Sequence, residues 1–109
     1  MEYSVEKRDK GTVISLSGDV TESQNNELKK TLQNIMNEGE TSIVVDLGKV
    51  KHMNASGLSM LLSYFLLAEK QKKTFRIANA TKTIRTLLNI TKLSKIIPNF
   101  DSVEKALNH

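Results

Sequence analysis

A short apolar run, Ile43-Val44-Val45-Asp46-Leu47, limits what this chain can fold into more than any other stretch. Apolar residues that do not alternate with polar ones predict a strand that is buried on both faces of a sheet. Gly48 is expected to end the strand, and a short basic loop is expected to lead to Asn54. From Leu58 onward the apolar residues have helical spacing. The stretch therefore predicts a strand, a loop and a helix, which form the first half of a β-α-β unit.

The remaining sequence alternates between strand and helix patterns, so a mixed, largely parallel sheet with helices packed on it is expected. This α/β fold has the order β-β-α-β-α-β-α-β-α and forms a single domain over residues 1–109. A hairpin is predicted from Tyr3–Lys7 and Val13–Leu16, turning at Asp9–Gly11 and closing at Gly18-Asp19. The other predicted elements are helices from about Glu22 to Asn37, from Asn54, from near Thr81 and from Asp101, and strands at Phe75–Ala78 and Lys95–Ile97. Capping boxes are predicted at Thr21–Gln24 and Asp101–Glu104.

Several classes of chemistry are disfavoured by what the sequence does not contain. There is no cysteine, which excludes a disulfide, a thiolate metal site and a cysteine nucleophile. Only His52 and His109 are histidines, and no glycine-rich phosphate loop is present. Asp46 is expected to bond loop amides rather than act as a base. We therefore expect no enzyme activity, cofactor or metal, and, without a long apolar run, a cytoplasmic protein that does not bind a membrane.

Basic residues are concentrated between positions 70 and 95, where no acidic residue occurs. This asymmetry indicates either a surface for an acidic partner or the solvated outer faces of two helices. Direct nucleic-acid binding is not expected, because Phe75 is the only aromatic residue in the segment and has the pattern of a core strand. The basic residues are Lys70, Lys72, Lys73, Arg76, Lys82, Arg85, Lys92 and Lys95.

The central helix is predicted to carry an outer face with almost no charge. At 100° per residue one set of residues faces the sheet, Leu58, Leu61, Leu62 and Phe65. The opposite stripe contains Ser56, Ser59, Met60, Ser63, Leu67 and Lys70. Either another helix covers Met60 and Leu67, or the stripe is a protein-docking face. Asn54 is predicted to cap the helix, and Gly57 to let another backbone approach its first turn. Free amides there would also favour an anionic ligand.

The order and spacing of these segments resemble the STAS domain family, and within it the stand-alone bacterial anti-sigma factor antagonists. The segments that carry the resemblance are Leu16-Ser17-Gly18-Asp19-Val20, Val44-Val45-Asp46-Leu47, Met53-Asn54-Ala55-Ser56-Gly57-Leu58, and Leu88-Asn89-Ile90-Thr91-Lys92-Leu93 followed by Ile96-Ile97. The resemblance implies a regulator of transcription that binds an anti-sigma factor with a serine-kinase-type ATP-binding fold. In that family the kinase phosphorylates a serine in an Asp-Ser-x-Gly-Leu motif, which ends binding, and a serine phosphatase restores it.

This sequence departs from the motif at the position that matters for the switch. Asn54 occupies the place of the aspartate and Ala55 that of the phosphoacceptor serine, so only Gly57 and Leu58 match. Ala55 has no hydroxyl, and the substitute candidates are Ser56 and Ser59. The predicted partner-binding residues are Asn54, Ala55, Ser56, Gly57, Ser59, Met60 and Ser63. The alternative function is a phosphorylation-independent STAS subunit of a transporter or scaffold complex.

Overall fold

The computed structural model describes residues 1–21 and 26–109 and contains the predicted order of strands and helices. The strands are β1 (Glu2–Arg8), β2 (Gly11–Val20), β3 (Ser42–Met53), β4 (Thr74–Ala78) and β5 (Asn99–Phe100). The helices are α1 (Asn26–Asn37), α2 (Ala55–Lys70), α3 (Lys82–Ile90) and α4 (Val103–Asn108), and a short 3-10 turn covers Leu93–Lys95. The predicted α/β fold is confirmed.

All five strands form one sheet in the order β1-β2-β3-β4-β5, which is the order of the sequence. β1 and β2 form the predicted hairpin, in which Arg8 pairs with Gly11 across a two-residue turn. The other neighbours are parallel, so the sheet is mixed and largely parallel. Because the parallel strands all end at the same side of the sheet, we call that side the carboxyl edge.

Alternate residues of the central strands divide the core into two parts. Ile43 and Val45 belong to the larger part, which includes the buried residues of α1, α2 and α3. Val44 points the other way and belongs to a smaller part with Ala106 of α4. The prediction that this strand is buried on both faces is confirmed.

The prediction that Gly48 ends the central strand is wrong, because β3 has 12 residues and runs past Gly48 to Met53. The expected basic loop is instead the second half of β3, which pairs with Ser17–Val20 of β2. Likewise β2 does not close at Gly18-Asp19 but extends to Val20. Between the pairs Ser15–Asp46 and Ser17–Lys49, β3 has one residue more than β2. Gly48 lies in this bulge, so the glycine marks an irregularity within β3 and not the end of the strand.

The last strand lies after Pro98 and not before it. The predicted strand at Lys95–Ile97 is wrong, since Lys95 belongs to the 3-10 turn and the β-pairing begins at Asn99. The carbonyl of Pro98 accepts a hydrogen bond from the N–H of Ile77 at 2.9 Å. Proline cannot donate a ladder bond but can accept one, so it fits at the start of an edge strand.

The helix ends follow ordinary capping chemistry. The predicted helix start near Thr81 is confirmed, and Thr81 itself caps α3. Gly39 follows α1 with a φ of 87°, which suits a glycine. The terminal helix α4 is capped by Ser102, whose side chain accepts from the N–H of Lys105, so the capping box predicted at Asp101–Glu104 is wrong. The capping box predicted at Thr21–Gln24, and the start of its helix at Glu22, fall on 22–25 and lie outside the described residues.

Candidate partner-binding site

The first turn of α2 is held by one side chain. Asn54 precedes the helix in extended conformation, and its Oδ1 accepts a hydrogen bond from the N–H of Gly57 at 3.0 Å. The backbone N–H of Asn54 donates in turn to the carbonyl of Val20 at 3.4 Å, which ties the cap to the end of β2. The predicted capping role of Asn54 is therefore confirmed. Such a cap stabilises a helix by about 1 kcal/mol.

Gly57 is needed for contact inside the molecule. It is buried, and a Cβ built on it would lie 2.1 Å from the carbonyl oxygen of Val20. The predicted close approach of another backbone is thus correct, but the approaching backbone is β2 of the same chain. Gly57 belongs to the support of the site and is not an exposed contact residue.

Leu58, Leu61 and Phe65 of α2 are buried as predicted, but the centre of the buried side is turned away from the predicted one. Gly57, Leu61, Tyr64 and Ala68 form its centre at spacings of four, three and four residues, and all four are buried. Met60 lies beside them and is 1% exposed, so its predicted place on the outer face is wrong. The prediction counted only the large aliphatic residues and Phe65. Including the small residues and Tyr64 would have turned the helix to its observed orientation.

The outer face of α2 is nevertheless uncharged over three turns. Ala55, Ser59 and Ser63 are exposed, and Leu66, which the sequence prediction missed, is 55% exposed. Ser56 and Leu62 are partly buried at its borders, and the first charged residues are Glu69 and Lys70. We call Asn54, Ala55, Ser59, Ser63 and Leu66 the α2 face. Small polar residues around one exposed leucine are compatible with a protein-docking surface.

Asp46 has a structural role near this site. Its Oδ1 accepts hydrogen bonds from the N–H of Gly48 at 2.9 Å and from Nδ2 of Asn79 at 3.3 Å. The carboxylate thus holds the bulge of β3 against the residue that follows β4. This agrees with the prediction that Asp46 bonds neighbouring amides.

The basic segment separates into two groups in the structure. Nζ of Lys73 donates to the carbonyl of Glu40 at 2.7 Å, and Nη1 of Arg76 donates to that of Ala106 at 3.1 Å. The other six are exposed, and none of them has an ion pair among the described residues. Lys82 and Arg85 lie in the first turns of α3. Since α2 and α3 both begin at the carboxyl edge, these two charges share that edge with Asn54.

Within residues 1–21 and 26–109 no group of three or more His, Asp or Glu side chains is placed to hold a metal ion. None of the helices described there combines the length and the apolar character that crossing a membrane requires. His52 lies exposed in β3, and the ring of His109 is tilted against that of Phe100, with ring centroids 4.8 Å apart. The two histidines are therefore not brought together.

In the described part of the chain, a hairpin continues into parallel β-α units, and a capped helix begins at the carboxyl edge of the sheet. The family model described as "Mlab, STAS domain" matches residues 3–98. The chain belongs to the STAS domain family.

Solved structures share the fold over nearly the whole chain. An anti-sigma factor antagonist from Mycobacterium paratuberculosis is 22% identical, with a TM-score of 0.83 over 98% of this chain and 91% of that one. The Bacillus cell fate determinant SpoIIAA in its phosphorylated form is 17% identical, with a TM-score of 0.74 over 98% and 97%. A sulfate transporter family protein from Wolinella succinogenes is 16% identical, with a TM-score of 0.71 over 88% and 80%. At these identities the likeness concerns the fold.

Proposed function

We propose that the chain is an anti-sigma factor antagonist of the partner-switching type, a non-enzymatic regulator of transcription that acts in the cytoplasm as a single STAS domain and lacks the usual phosphoacceptor at position 55. It binds an anti-sigma factor with a serine-kinase-type ATP-binding fold through the α2 face. The observation that carries this proposal is the uncharged exposed surface that starts at Ala55, the position equivalent to the phosphoacceptor. Structural likeness to anti-sigma factor antagonists supports it.

Alanine at position 55 makes the docking surface insensitive to phosphorylation at that position. A phosphoryl group there would add roughly −1.5 to −2 charges beside the partner. Ser56 is displaced by about 100° around the helix, and in-line transfer tolerates little displacement of the nucleophile. The protein is therefore held in its binding form, and a serine phosphatase has nothing to remove at position 55.

Affinity capture with the immobilised chain from a lysate of its source cells tests the partner class. Recovery of an anti-sigma factor with a kinase-type ATP-binding fold supports the proposal. Recovery of a transporter or scaffold component, with no anti-sigma factor, contradicts it.

The α2 face is then tested with the purified partner. Ser59→Glu puts a charge at its centre and should weaken binding at least about tenfold, because an unpaired carboxylate would be desolvated in the interface. Asn108→Glu adds the same charge on α4, across the sheet, and should leave affinity unchanged. Equal affinities for Ser59→Glu and the unaltered chain would show that the partner binds elsewhere.

A second candidate function is a phosphorylation-independent subunit of a transporter or scaffold complex. The absence of a hydroxyl at Ala55 favours it, since a permanent subunit needs no switch. The fold likeness to a protein of the sulfate transporter family is compatible with it. The two candidates differ in the captured partner and in the lifetime of the complex, which should be long for a permanent subunit.

A further inference from the structure

The two edges of the sheet differ in how much unpaired strand they leave. At one edge β5 is only two residues long and is preceded by Pro98, which has no N–H to offer. At the other edge β1 runs for seven residues, and β2 is its only strand neighbour in the described part of the chain. A long unpaired edge strand exposes a row of backbone donors and acceptors that another strand can complete.

The side chains of β1 alternate between the two faces of the sheet. Tyr3 pairs with Leu16 and Val5 with Ile14, so these residues share the face that carries α1. A hydrogen bond to α1 supports this placement of Tyr3, because the hydroxyls of Tyr3 and Thr31 lie 3.1 Å apart. Four residues face the other way, Glu2, Ser4, Glu6 and Arg8. Acidic residues therefore stand toward the start of this row and its one cation stands at the end.

We propose that β1 pairs antiparallel with β1 of a second copy, so that the two sheets join into one of ten strands. A two-fold axis perpendicular to the sheet passes beside Val5, which then lies opposite Val5 of the other copy. Glu2 lies opposite Arg8 of the other copy, and this pair occurs twice by symmetry. Tyr3 lies opposite Lys7, and Ser4 opposite Glu6.

Charge selects this register over its neighbours. A two-fold axis perpendicular to the sheet keeps each side chain on its own face, so residues that lie opposite each other must face the same way. The nearest alternative symmetric registers therefore have the axis beside Ser4 or beside Glu6 instead of beside Val5. The first puts Glu2 opposite Glu6, and the second puts Glu6 opposite Glu6 of the other copy. Like charges directly opposite destabilise strand pairing, whereas opposite charges stabilise it. Only the register about Val5 pairs Glu2 with Arg8 and leaves no like charges opposite.

The monomer already holds these side chains near the positions that the dimer needs. Arg8 is hydrogen-bonded to Glu6 on the same face, and Lys7 is paired with Glu38, the residue after α1, on the other. Both pairs are largely exposed, and the Arg8 guanidinium has further donors free to reach Glu2 of a second copy. Val5 is 38% exposed in the monomer and would be covered by its symmetry mate. In the dimer the α2 faces of both copies lie on the same side of the joined sheet.

Charge reversal provides the first test, with sedimentation velocity over a range of concentrations as the measurement. The unaltered chain should dimerise, and Arg8→Glu or Glu2→Arg should each raise the dissociation constant at least about tenfold. An equimolar mixture of the two variants should form a heterodimer, because both cross-strand pairs then join opposite charges. Lys92→Glu, a charge reversal far along the sequence at the end of α3, should dimerise like the unaltered chain.

A cysteine placed at the axis provides the second test, since the chain has no other cysteine. Residues directly opposite across an antiparallel pair have Cα atoms about 4.5–5.5 Å apart, within the range of a disulfide. Val5→Cys should therefore cross-link into covalent dimers under mild oxidation. Ser4→Cys should not, because its symmetry mate is offset by two residues along the strand, beyond about 7 Å.

Three results would overturn the proposal. The unaltered chain could remain monomeric at the highest concentration reached. The reversed variants could dimerise as well as the unaltered chain, which would place the interface elsewhere. Finally, Ser4→Cys could cross-link as fast as Val5→Cys, which would exclude the register about Val5.

Discussion

Single residues around the start of α2 have roles that depend on which side of the helix they occupy. Gly57 faces β2 and Ala55 faces solvent, although only one residue separates them. The first determines whether the helix can sit on the sheet. The second determines what the helix presents to a partner.

Gly57→Ala should be strongly destabilising, because the new methyl group would meet the backbone carbonyl of Val20 at 2.1 Å. Neither the helix nor the strand can yield as a flexible side chain would, so we expect a loss of about 3 kcal/mol in the free energy of unfolding. Urea denaturation measures it. Ser59→Ala, on the exposed side of the same helix, should change stability by less than about 0.5 kcal/mol. Equal stability of the two variants would contradict the close packing at Gly57.

Ala55→Ser should convert the chain into a phosphoacceptor. The amides of Ala55 and Ser56 have no hydrogen-bond partner among the described residues, and the positive end of the helix dipole favours a phosphate there. The variant is incubated with ATP and with the kinase recovered by affinity capture. Intact mass spectrometry should then find one phosphate on it. Asn54→Asp added to it should increase the yield, since the family motif has aspartate there.

The unaltered chain is the control and should gain no phosphate. One phosphate on it, mapped to Ser56 or Ser59, would show that the acceptor has moved within the helix. In that case the protein would still switch, and the consequence drawn from Ala55 would be wrong.

At the scale of elements, the two sides of α2 have different roles. Its inner side is a row of buried residues against the sheet, and its outer side carries the α2 face. Met60 and Leu66 are both large apolar residues of this helix, 1% and 55% exposed respectively. They therefore make a matched pair for testing the orientation of the helix.

Met60→Ala should lower the free energy of unfolding by about 2–5 kcal/mol, because it leaves a cavity in the larger part of the core. Leu66→Ala removes a similar volume from the surface and should cost less than about 0.5 kcal/mol. Partner affinity should respond in the opposite way, with only Leu66→Ala weakening it. A small cost for Met60→Ala would contradict the observed orientation of the helix and return Met60 to the predicted outer face.

The sequence predicts this element well in type and less well in orientation. The boundaries near Asn54 follow from a cap and an apolar spacing, both of which are local signals. Orientation depends on where small residues touch the sheet, and Gly57 and Ala68 carry no hydrophobic signal strong enough to reveal it. The same limit applies to Gly48, whose presence predicted a strand end although pairing with β2 continues beyond it. Strand pairing is a tertiary property that overrides local propensity.

At the scale of the whole molecule, charge is unevenly distributed around the α2 face. Lys82 and Arg85 stand at the same edge as Asn54, and they are exposed and without ion pairs among the described residues. Lys73 and Arg76 belong to the same acid-free run, but their side chains donate hydrogen bonds to backbone carbonyls. All of these charges act at a distance, but only the exposed side chains can also move toward an approaching partner.

Replacing both Lys82 and Arg85 by Gln should slow association with an acidic partner and flatten its dependence on salt, with little change in dissociation. Stopped-flow binding at two ionic strengths measures this. The matched control, Lys10→Gln with Lys105→Gln, removes two charges that lie toward α4. If both double variants show the same salt dependence, the charges at the edge only solvate the surface.

Stability should fall at alkaline pH partly through one phenol. Burial raises the pKa of Tyr64 above its usual value of 10.0. The folded state therefore retains the proton longer than the unfolded state, so stability is fully present below pH 10 and is lost as the pH rises beyond it. Tyr64→Phe should lessen this loss in urea denaturation series. A pH dependence identical to that of the unaltered chain would contradict the role of Tyr64, and Tyr3→Phe is the control.

The agreement between strand order and sequence order has a consequence for biosynthesis. Each strand that leaves the ribosome can add to the free edge of those already made, and none has to be inserted between two earlier strands. The chain can thus assemble progressively from its N terminus, as vectorial synthesis favours. Of the described strands, the last to emerge is also the shortest, so the sheet is nearly complete before β5 is made.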